Sequence, residues 1–437
     1  MIVAQPRQWP NPDDIPLYET TTYSCPVSGA EPLGNTEQEW GHVTVRRGAH
    51  MFWWLYYTTA DVSNYTERPL IIWLQGGPGM PSSGYGNFLE IGPLDINFQK
   101  RNYSLIQDFN ILFIDNPVGV GYSYVADNDT KIPKSNEEIG EDLFRFLKIF
   151  MNERVDFQKV PLYIFGESYG GKMVVEFACQ IAKKKKKHKH KWNLKGIGLG
   201  NSYISPLEYI RCYASLAHQL VDFEEAADVE LTMMQALVKE MPGVDVYNFI
   251  SRTNISSVSS LFSYLTPFTE KMNTAVKTYL SIEEDIEWTF LNNDIYESLN
   301  GDLLKSVARR GMQFIDSAII KYVSLFIFLQ WNFLLNNTNI KIIVYNGALD
   351  FLVNTAGTRL WMEHLRWKSK DKWKEAAQEP FSVNSFIEGY VKKADNLLLY
   401  VIFRAGHSVP IDNMPAFREM LIRELVYSEM LTSILHK

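Results

Sequence analysis

One serine stands where a strand pattern changes into a helix pattern. Ser168 follows the apolar run PLYIFGE (161–167), and a helix-like run begins at Gly170. Small residues at 166 and 170 suit a sharp turn that exposes the hydroxyl. A serine hydroxyl is a poor nucleophile unless a base takes its proton and an acid orients that base. The pattern favours a nucleophilic serine, and a solvent-facing serine in a glycine-rich turn is the alternative.

A base and an orienting acid occur on two later loops, each after an apolar strand pattern. His407 follows LLLYVIF (397–403), and Asp350 follows KIIVY (341–345). The other histidines lie in a lysine run, in helix-like segments, beside an early hairpin or near the chain end. The order serine, aspartate, histidine is that of an α/β-hydrolase. We therefore expect Ser168, Asp350 and His407 to form a catalytic triad.

A glycine-rich turn supplies the third part of the expected site. The run WLQGGPG (73–79) overlaps the end of the apolar run PLIIWL (69–74). Glycines let main-chain N–H groups approach a developing oxyanion without obstruction. Such clusters also form ordinary turns. A position after a strand and upstream of Ser168 favours an oxyanion hole.

Six runs in a fixed order resemble the serine carboxypeptidase family. They are WLQGGPG, FLEIGPLD (88–95), FIDNPVGVGYSY (113–124), GESYGGKM, VYNGALD and AGHSVP. The resemblance extends from about Glu39 to about Val409 and is weak between about 210 and 335. The retinoid-inducible branch of the family is the most similar, since it shares VTVRRGAHMFWWLYYTT (43–59) and the glutamine of WLQGGPG.

The resemblance implies an exopeptidase that releases the last residue of a peptide through an acyl-enzyme. Ser168 would be the nucleophile, His407 the general base and then the acid, and Asp350 the residue that orients His407. The oxyanion hole would consist of the main-chain N–H groups of Gly77 and Tyr169. The resemblance implies no cofactor and no metal ion, and the expected partners are peptides with a free C-terminus.

A network that recognises the substrate's terminal carboxylate would map onto Gln75, the main chain of Gly76, Glu90 and Glu167. None of these residues is basic, so they can hold a carboxylate only by sharing protons. Crowding and burial raise carboxyl pKa values. We therefore expect activity to be best in acid and to fall towards neutral pH through weaker substrate binding. The alternatives are a surface glutamate at 167 and a loop residue at 90.

Three positions depart from the residues that the family commonly has. Gln75 stands in place of an asparagine, and Met80-Pro81 in place of a cysteine that anchors a disulfide. Ser408 replaces a methionine that lines the pocket for the departing residue. This last change puts the usual preference for apolar departing residues in doubt.

The length and the composition fit one domain with an insertion. The chain has 437 residues, 46% of them hydrophobic, and can bury a large core. Alternating strand and helix patterns predict a mostly parallel central sheet. We expect a single α/β-hydrolase domain with a core at about 39–201 and 311–437, and an inserted helical cap at 202–310. The cap would restrict access to the site or be purely structural.

The charge balance speaks against a general nucleic-acid binder. The formal net charge is −7, which is the wrong sign for a polyanion partner. One exception is Lys183 to Lys191, a run of seven lysines and two histidines. We interpret it as a solvated loop, with contact to a polyanion or an acidic membrane as the minority interpretation.

Compartment signals in this sequence are weak. The first residues, MIVAQPRQWPNP, contain no apolar signal core, and three cysteines (25, 179 and 212) allow at most one disulfide. Acceptor sequences for N-glycosylation occur at Asn64, Asn102, Asn128, Asn254 and Asn336. The family resemblance favours a secreted or lysosomal protein.

The run YVSLFIFLQWNFLL (322–335) resembles a membrane anchor. It is shorter than the ~20 residues that a span requires, and two polar residues interrupt it. A buried core helix that leads into the strand before Asp350 is the better interpretation, so we expect no membrane span.

Two other functions remain open. An acyltransferase or esterase can use the same scaffold, because fold and triad do not fix the acceptor. An inactive relative could keep the fold for storage or binding. The pair Glu90 and Glu167 favours the peptidase, and an intact triad argues against the inactive relative.

Overall fold

The computed structural model describes residues 22–23, 33–34, 36–126, 131–188, 192–220, 244–252, 265–303 and 330–427. Some predictions lie outside these ranges. They concern Cys25, the glycosylation sites Asn128 and Asn254, the end of the lysine run, and parts of the expected cap.

Most of the described strands belong to one large sheet. The strands are β1 (Thr22–Tyr23), β2 (Gln38–Arg46), β3 (Ala49–Tyr56), β4 (Leu70–Leu74), β5 (Asn110–Ile114), β6 (Tyr124–Val125), β7 (Pro161–Glu167), β8 (Asn193–Gly200), β9 (Val244–Asp245), β10 (Asn248–Arg252), β11 (Lys341–Gly347), β12 (Gln378–Val383), β13 (Phe386–Ala394) and β14 (Leu397–Ile402). Of these, 12 form a sheet in the order β1-β2-β3-β5-β4-β7-β8-β11-β14-β13-β12, with β6 paired to β3. β9 and β10 form a separate hairpin.

The centre of the sheet is parallel and its margins are antiparallel. Strands β5, β4, β7, β8, β11 and β14 run parallel to their neighbours in this series. The prediction of a mostly parallel central sheet is therefore confirmed. Adjacent parallel strands bring their carboxyl ends to one edge, where ligand sites of such sheets lie. Strands β7, β8, β11 and β14 end there at Glu167, Gly200, Gly347 and Ile402.

Hydrophobic cores cover both faces of the sheet. Every residue of β4 and β5 is buried, as expected for parallel strands between two layers of helices. Side chains alternate between the faces of a strand. Leu70, Ile72 and Leu74 accordingly enter one core, and Ile71 and Trp73 enter the other.

Helices flank the sheet and build much of the insertion. The α-helices with described bounds are Asn136–Glu153, Gly170–His188, Pro206–Leu220, Thr266–Lys271, Lys277–Leu280, Asn293–Ser298, Asn300–Leu303, Thr355–Glu363, Lys370–Glu375, Val409–Asp412 and Met414–Leu421. Segments Ser82–Ile91, Met272–Val276 and Ile422–Tyr427 are π-helical. Short 3₁₀ turns lie at Tyr65–Glu67, Leu105–Gln107 and Val155–Gln158.

The helix after Ser168 extends into the lysine run. The prediction of a loop is wrong for residues 183–188, because helix Gly170–His188 continues through them. Lysine is a good helix former, and cations near a helix C-terminus interact favourably with the dipole. Lys184 Nζ also lies 4.4 Å from the centre of the Phe144 ring, which supports the last turns.

The insertion is not purely helical. Its described parts contain the β9–β10 hairpin in addition to helices. Two core side chains reach its main chain: Trp40 Nε1 donates to Leu280 O at 2.9 Å, and Tyr122 Oη donates to Met272 O at 2.6 Å. The limits at 202 and 310, and a role in gating, remain predictions.

The apolar run before β11 belongs to the core where the structure describes it. Residues 330–337 form a helix, and Trp331, Leu334 and Leu335 are fully buried. For this part of the run, the prediction of a buried core helix is confirmed. None of the described helices combines the length and the apolar character that crossing a membrane requires.

Candidate active site

The turn after β7 holds Ser168 in a left-handed conformation. Its φ is 58°, which is uncommon for a residue with a side chain and marks a constrained turn. A Cβ on Gly166 would lie 2.8 Å from the carbonyl carbon of Gly170, so the turn leaves no room for a larger residue. The Ser168 N–H donates to Gly200 O at 3.0 Å. The chain thus has the strand, sharp turn and helix that the sequence predicted around Ser168.

His407 and Asp350 are direct partners. The distance from His407 Nδ1 to Asp350 Oδ2 is 2.7 Å. Both residues are buried, since 7% of His407 and 1% of Asp350 is exposed. They meet because β11 and β14 are parallel neighbours, so the loops that follow these strands lie side by side. With Nδ1 donating to the carboxylate, Nε2 is the atom that remains to accept a proton.

Asp350 is itself held in place by two further hydrogen bonds. Asn201 Nδ2 donates to Asp350 Oδ2 at 2.6 Å, and the Val353 N–H donates to Oδ1 at 3.0 Å. Asn201 follows β8, the strand beside β11. The carboxylate therefore has a fixed orientation toward His407.

The electrostatic surroundings favour a protonated His407. Burial is the largest single effect and opposes the charge, but the charge and hydrogen bond of Asp350 together with the charges of Glu167 and Asp245 outweigh it. The pKa of His407 is raised as a result. An imidazole of this kind can hold a proton taken from a nucleophile.

The two candidate catalytic loops contact each other through the neighbours of Ser168 and His407. Ser408 Oγ donates to Glu167 Oε1 at 2.9 Å, which brings the residue after His407 against the residue before Ser168. No hydrogen bond between the Ser168 hydroxyl and His407 occurs in the part of the chain that the structure describes. All three predicted triad residues nevertheless lie at the same edge of the sheet.

The glycine-rich turn after β4 packs directly on the serine turn. A Cβ on Gly76 would lie 2.5 Å from Glu167 O, 2.7 Å from Ser168 Cβ and 2.9 Å from Tyr169 N. Gly77 has a φ of 113°, which favours glycine. This close approach puts the predicted oxyanion-hole donors, the N–H groups of Gly77 and Tyr169, on adjoining turns.

The predicted carboxylate-binding side chains form one buried cluster. Gln75, Glu90 and Glu167 are each at most 3% exposed. Trp73 Nε1 donates to Gln75 Oε1 at 2.8 Å, and Gln75 Nε2 approaches Glu167 Oε1 at 3.3 Å. The alternative of a surface glutamate at 167 is therefore wrong. The alternative of a loop residue at 90 is also wrong, because Glu90 lies in the π-helix Ser82–Ile91.

Burial dominates the acid–base behaviour of the two glutamates. It raises the pKa of Glu90 well above the ordinary value, and the charge of Glu167 raises it further. Burial also raises the pKa of Glu167, against the opposing charge of His407. A buried carboxyl pair that shares a proton behaves in this way.

No motif in the sequence predicted a contact from the insertion to His407. The Tyr247 ring lies 4.8 Å from the imidazole, centre to centre, and Tyr247 O accepts the His407 N–H at 2.7 Å. In the same hairpin, Val246 O accepts the N–H groups of Phe351 and Leu352 at 3.1 and 3.2 Å. This hairpin thus fastens the loops of both Asp350 and His407. It lies in the weakly matching part of the chain, where no motif marks it.

A second insertion residue reaches the serine turn. Tyr169 Oη donates to Asp302 Oδ2 at 2.8 Å, and Lys172 Nζ donates to Asp302 O at 3.1 Å. Asp302 is 5% exposed.

Among the described residues, no group of three or more histidine, cysteine, aspartate or glutamate side chains could hold a metal ion.

Comparison with known sequences decides the family. A sequence model of serine carboxypeptidases matches residues 28–426. The chain belongs to the serine carboxypeptidase family. It is a serine-type carboxypeptidase and hence a hydrolase, as the six motifs predicted.

Several relatives match this serine carboxypeptidase over most of their length. The retinoid-inducible serine carboxypeptidase of Mus musculus is 33% identical, and the match covers 88% of this chain and 90% of that protein. The Homo sapiens protein of the same name is 31% identical, with 87% and 90% covered. Serine carboxypeptidase-like 51 of Arabidopsis thaliana is 31% identical, with 90% and 93% covered. The predicted likeness to the retinoid-inducible branch is confirmed.

A solved structure supports the fold assignment. Kex1(Δ)p, a prohormone-processing carboxypeptidase from Saccharomyces cerevisiae, superimposes with a TM-score of 0.72 at 21% identity. The match covers 91% of this chain and 92% of that one. The prediction of an α/β-hydrolase fold is confirmed.

Proposed function

We propose that this serine carboxypeptidase removes C-terminal residues from peptides through an acyl-enzyme formed on Ser168. The observation that carries the proposal is the 2.7 Å contact between His407 Nδ1 and Asp350 Oδ2 at the sheet edge that also bears the Ser168 turn. A buried, oriented imidazole at the same sheet edge as a half-buried serine turn is the arrangement that acyl transfer requires.

In the first half of the reaction, His407 Nε2 takes the proton of Ser168 Oγ as that oxygen attacks the last peptide carbonyl. Negative charge then develops on the carbonyl oxygen, where the N–H groups of Gly77 and Tyr169 would stabilise it. His407 returns the proton to the departing amino acid, and the acyl-enzyme remains. In the second half, water loses a proton to His407 and attacks the ester. His407 then gives that proton to Ser168 Oγ as the bond to the acyl group breaks, which releases the shortened peptide and restores the enzyme.

Recognition of a chain end would come from Gln75, the Gly76 main chain, Glu90 and Glu167. Neither oxygen of Glu90 nor Oε2 of Glu167 has a hydrogen-bond partner among the described residues. Buried polar atoms of this kind are seldom left unpaired. A substrate carboxylate that accepts a hydrogen bond from the protonated member of the glutamate pair would give that carboxyl group a partner. Binding then needs the shared proton, so activity is best in acid.

Blocked dipeptides with free and with amidated C-termini test the proposal. We expect the free acid to be hydrolysed, the amide to be spared, and Ser168→Ala to abolish turnover while still binding the free acid. Turnover of esters alone would assign an esterase or acyltransferase instead. Failure of Ser168 to react with a fluorophosphonate, together with no turnover, would show an inactive relative.

We also propose a secreted or lysosomal location with N-linked glycans. Among the described acceptor sites, Asn64, Asn102 and Asn336 are exposed, so folded glycoprotein would tolerate sugars there. Expression in a secreting eukaryotic cell should give a protein whose mass falls on treatment with an endoglycosidase. An unchanged mass would contradict the proposed glycosylation.

Polyanion contact is a separate proposal for Lys183–Lys191. Helix Gly170–His188 carries the first lysines of this run, and a cationic helix end suits a sulfated polysaccharide. Replacing Lys185 and Lys187 with glutamine should lower the salt concentration that elutes the protein from heparin. Equal elution would contradict the contact.

A further inference from the structure

Ser408 lies inside the glutamate cluster. It is 8% exposed, and its Oγ donates to Glu167 Oε1 at 2.9 Å. The same Oγ lies 3.1 Å from the hydroxyl of Tyr85. Ser408 thus connects the loop of His407 with the π-helix that carries Tyr85 and Glu90.

The direction of each hydrogen bond follows from the chemistry of the donors. The Trp73 indole can only donate, so Gln75 turns its oxygen to Trp73 and its NH₂ group to Glu167. Ser408 has one proton, which lies on Glu167. The hydroxyl of Tyr85 therefore donates to Ser408. Two donors converge on Glu167 Oε1.

Glu90 has the opposite surroundings. None of the described N–H or O–H groups forms a hydrogen bond to either of its carboxyl oxygens, and it is fully buried. Of two buried carboxyls that share one proton, the charge settles on the one that accepts more hydrogen bonds. Glu167 is then the ionised partner, and Glu90 carries the proton and can donate it to an incoming carboxylate.

We propose that Ser408 is a positioning residue that fixes the negative charge on Glu167 and the proton on Glu90, and so limits the pH range in which a substrate carboxylate binds. This inference rests on the proposed function of the glutamate pair. It goes further by assigning the two protonation states and the residue that sets them.

The sign of the effect follows from the donor. A hydrogen bond to an ionised carboxyl stabilises the charge, and the bond from Ser408 accordingly opposes the rise in the pKa of Glu167. Without this donor the pair keeps its proton to higher pH. The other titratable groups that face the pair are His407, Tyr85, Tyr247 and Tyr345, with Arg101 on the side of Glu90.

Binding of a blocked dipeptide to Ser168→Ala protein tests this role without turnover. The dissociation constant is measured at mildly acidic and at neutral pH, with the free and the amidated dipeptide. In Ser168→Ala, the free dipeptide should bind more weakly at neutral pH. Adding Ser408→Ala should reduce that loss about fivefold, because a hydrogen bond to a charged group is removed.

Two further variants separate positioning from packing. Ser408→Thr keeps a hydroxyl and should restore the original pH dependence. Tyr85→Phe removes the donor to Ser408 but leaves the bond from Ser408 to Glu167, so its effect should be smaller than that of Ser408→Ala.

Each remaining outcome has a definite meaning. In one outcome, the preference for the free dipeptide depends on pH in the same way in Ser168→Ala protein with and without Ser408→Ala. That result overturns the role of Ser408 and leaves the carboxypeptidase proposal intact. Equal binding of free and amidated dipeptides overturns both. If Ser408→Ala lowers the affinity equally at every pH and Ser408→Thr does not restore it, Ser408 acts only by packing. This result also overturns the inference.

Discussion

Asp350 contacts His407 through the same oxygen, Oδ2, that accepts a 2.6 Å hydrogen bond from Asn201. The carboxylate is thereby fixed in the orientation that keeps the His407 proton on Nδ1. Replacement by asparagine would offer an NH₂ group to Nδ1 and favour the wrong tautomer. We expect Asp350→Asn to lower kcat by ~10⁴-fold with the fold retained, measured on a peptide with a free C-terminus.

The matched control for this variant is Asp412→Asn. Asp412 ends helix Val409–Asp412, and its Oδ2 accepts the Gly406 N–H at 2.7 Å, so it holds the His407 loop and not the imidazole itself. An amide oxygen can still accept this bond, and the loss in kcat should be far smaller. Equal losses in both variants would argue against a special role for Asp350.

Gly76→Ala should disable the site through a steric clash. The new Cβ would lie within 2.9 Å of atoms of Glu167, Ser168 and Tyr169, so one of the two turns must shift. Displacing an oxyanion donor costs about 100-fold or more in kcat. Gly301→Ala is the control, because a Cβ there meets nothing within 4 Å. A Gly76→Ala enzyme with normal kcat would refute the proposed oxyanion hole.

Tyr247 should affect the rate through the position of His407. Tyr247→Ala removes the ring that lies 4.8 Å from the imidazole, and the freer His407 should lower kcat by about tenfold. Tyr247→Phe keeps the ring and should retain most of the activity. Steady-state kinetics on a free-acid peptide separate the two, and a large loss in Tyr247→Phe would point to the hydroxyl instead of the ring.

Glu90→Gln should flatten the pH dependence of substrate binding. In the wild type, burial and the charge of Glu167 raise the pKa of Glu90, so the binding-competent protonated form persists above the usual carboxyl range. The affinity for the substrate carboxylate is lost as the pH rises through the raised pKa of Glu90. Glutamine cannot lose its proton, so KM should change little between mildly acidic and neutral pH.

The control for Glu90→Gln is Glu270→Gln at an exposed position of the insertion. Its pH profile should match the wild type. If the KM of Glu90→Gln still rises steeply towards neutral pH, the proton that controls substrate binding lies on another group.

Glu176 should make the protein less stable at neutral than at mildly acidic pH. Burial raises its pKa to about 7, against the hydrogen bond from Gln180. The pKa of Glu176 is higher in the folded than in the unfolded protein. Its contribution to the free energy of unfolding is therefore complete below the unfolded pKa. It is lost as the pH rises through about 7.

Glu176→Gln removes this titration. The difference in the free energy of unfolding between mildly acidic and neutral pH should shrink by about 2 kcal/mol. Chemical denaturation at both pH values measures it, with the exposed Glu375→Gln as the control. An unchanged difference would mean that Glu176 is not protonated at mildly acidic pH in the folded protein.

The sequence was sufficient for the parts of the site that follow strands. Ser168, Asp350 and His407 each follow an apolar run within a few residues, and parallel strands bring such positions to one edge. The strand pattern therefore predicted both the sheet and the convergence of these residues. The tight turns at 76–79 and 166–170 were readable because their glycine positions leave no room for a side chain.

Other features depend on contacts that leave no local pattern. Residues 247 and 407 are far apart along the chain, and nothing in the periodicity of either segment marks their pairing. Asn201 was not predicted as part of the site, since its bond to Asp350 arises from the neighbouring strands β8 and β11. The helix through 183–188 was missed because like charges suggest an open loop, whereas lysine side chains can extend into solvent from a helix.

The β9–β10 hairpin has an evolutionary consequence. Inserted residues touch the loops of both the acid and the base, so exchanging this segment between relatives would alter turnover together with substrate choice. Relatives whose insertions have changed to accept other peptides must therefore keep, or replace, the contacts of this hairpin with the two loops.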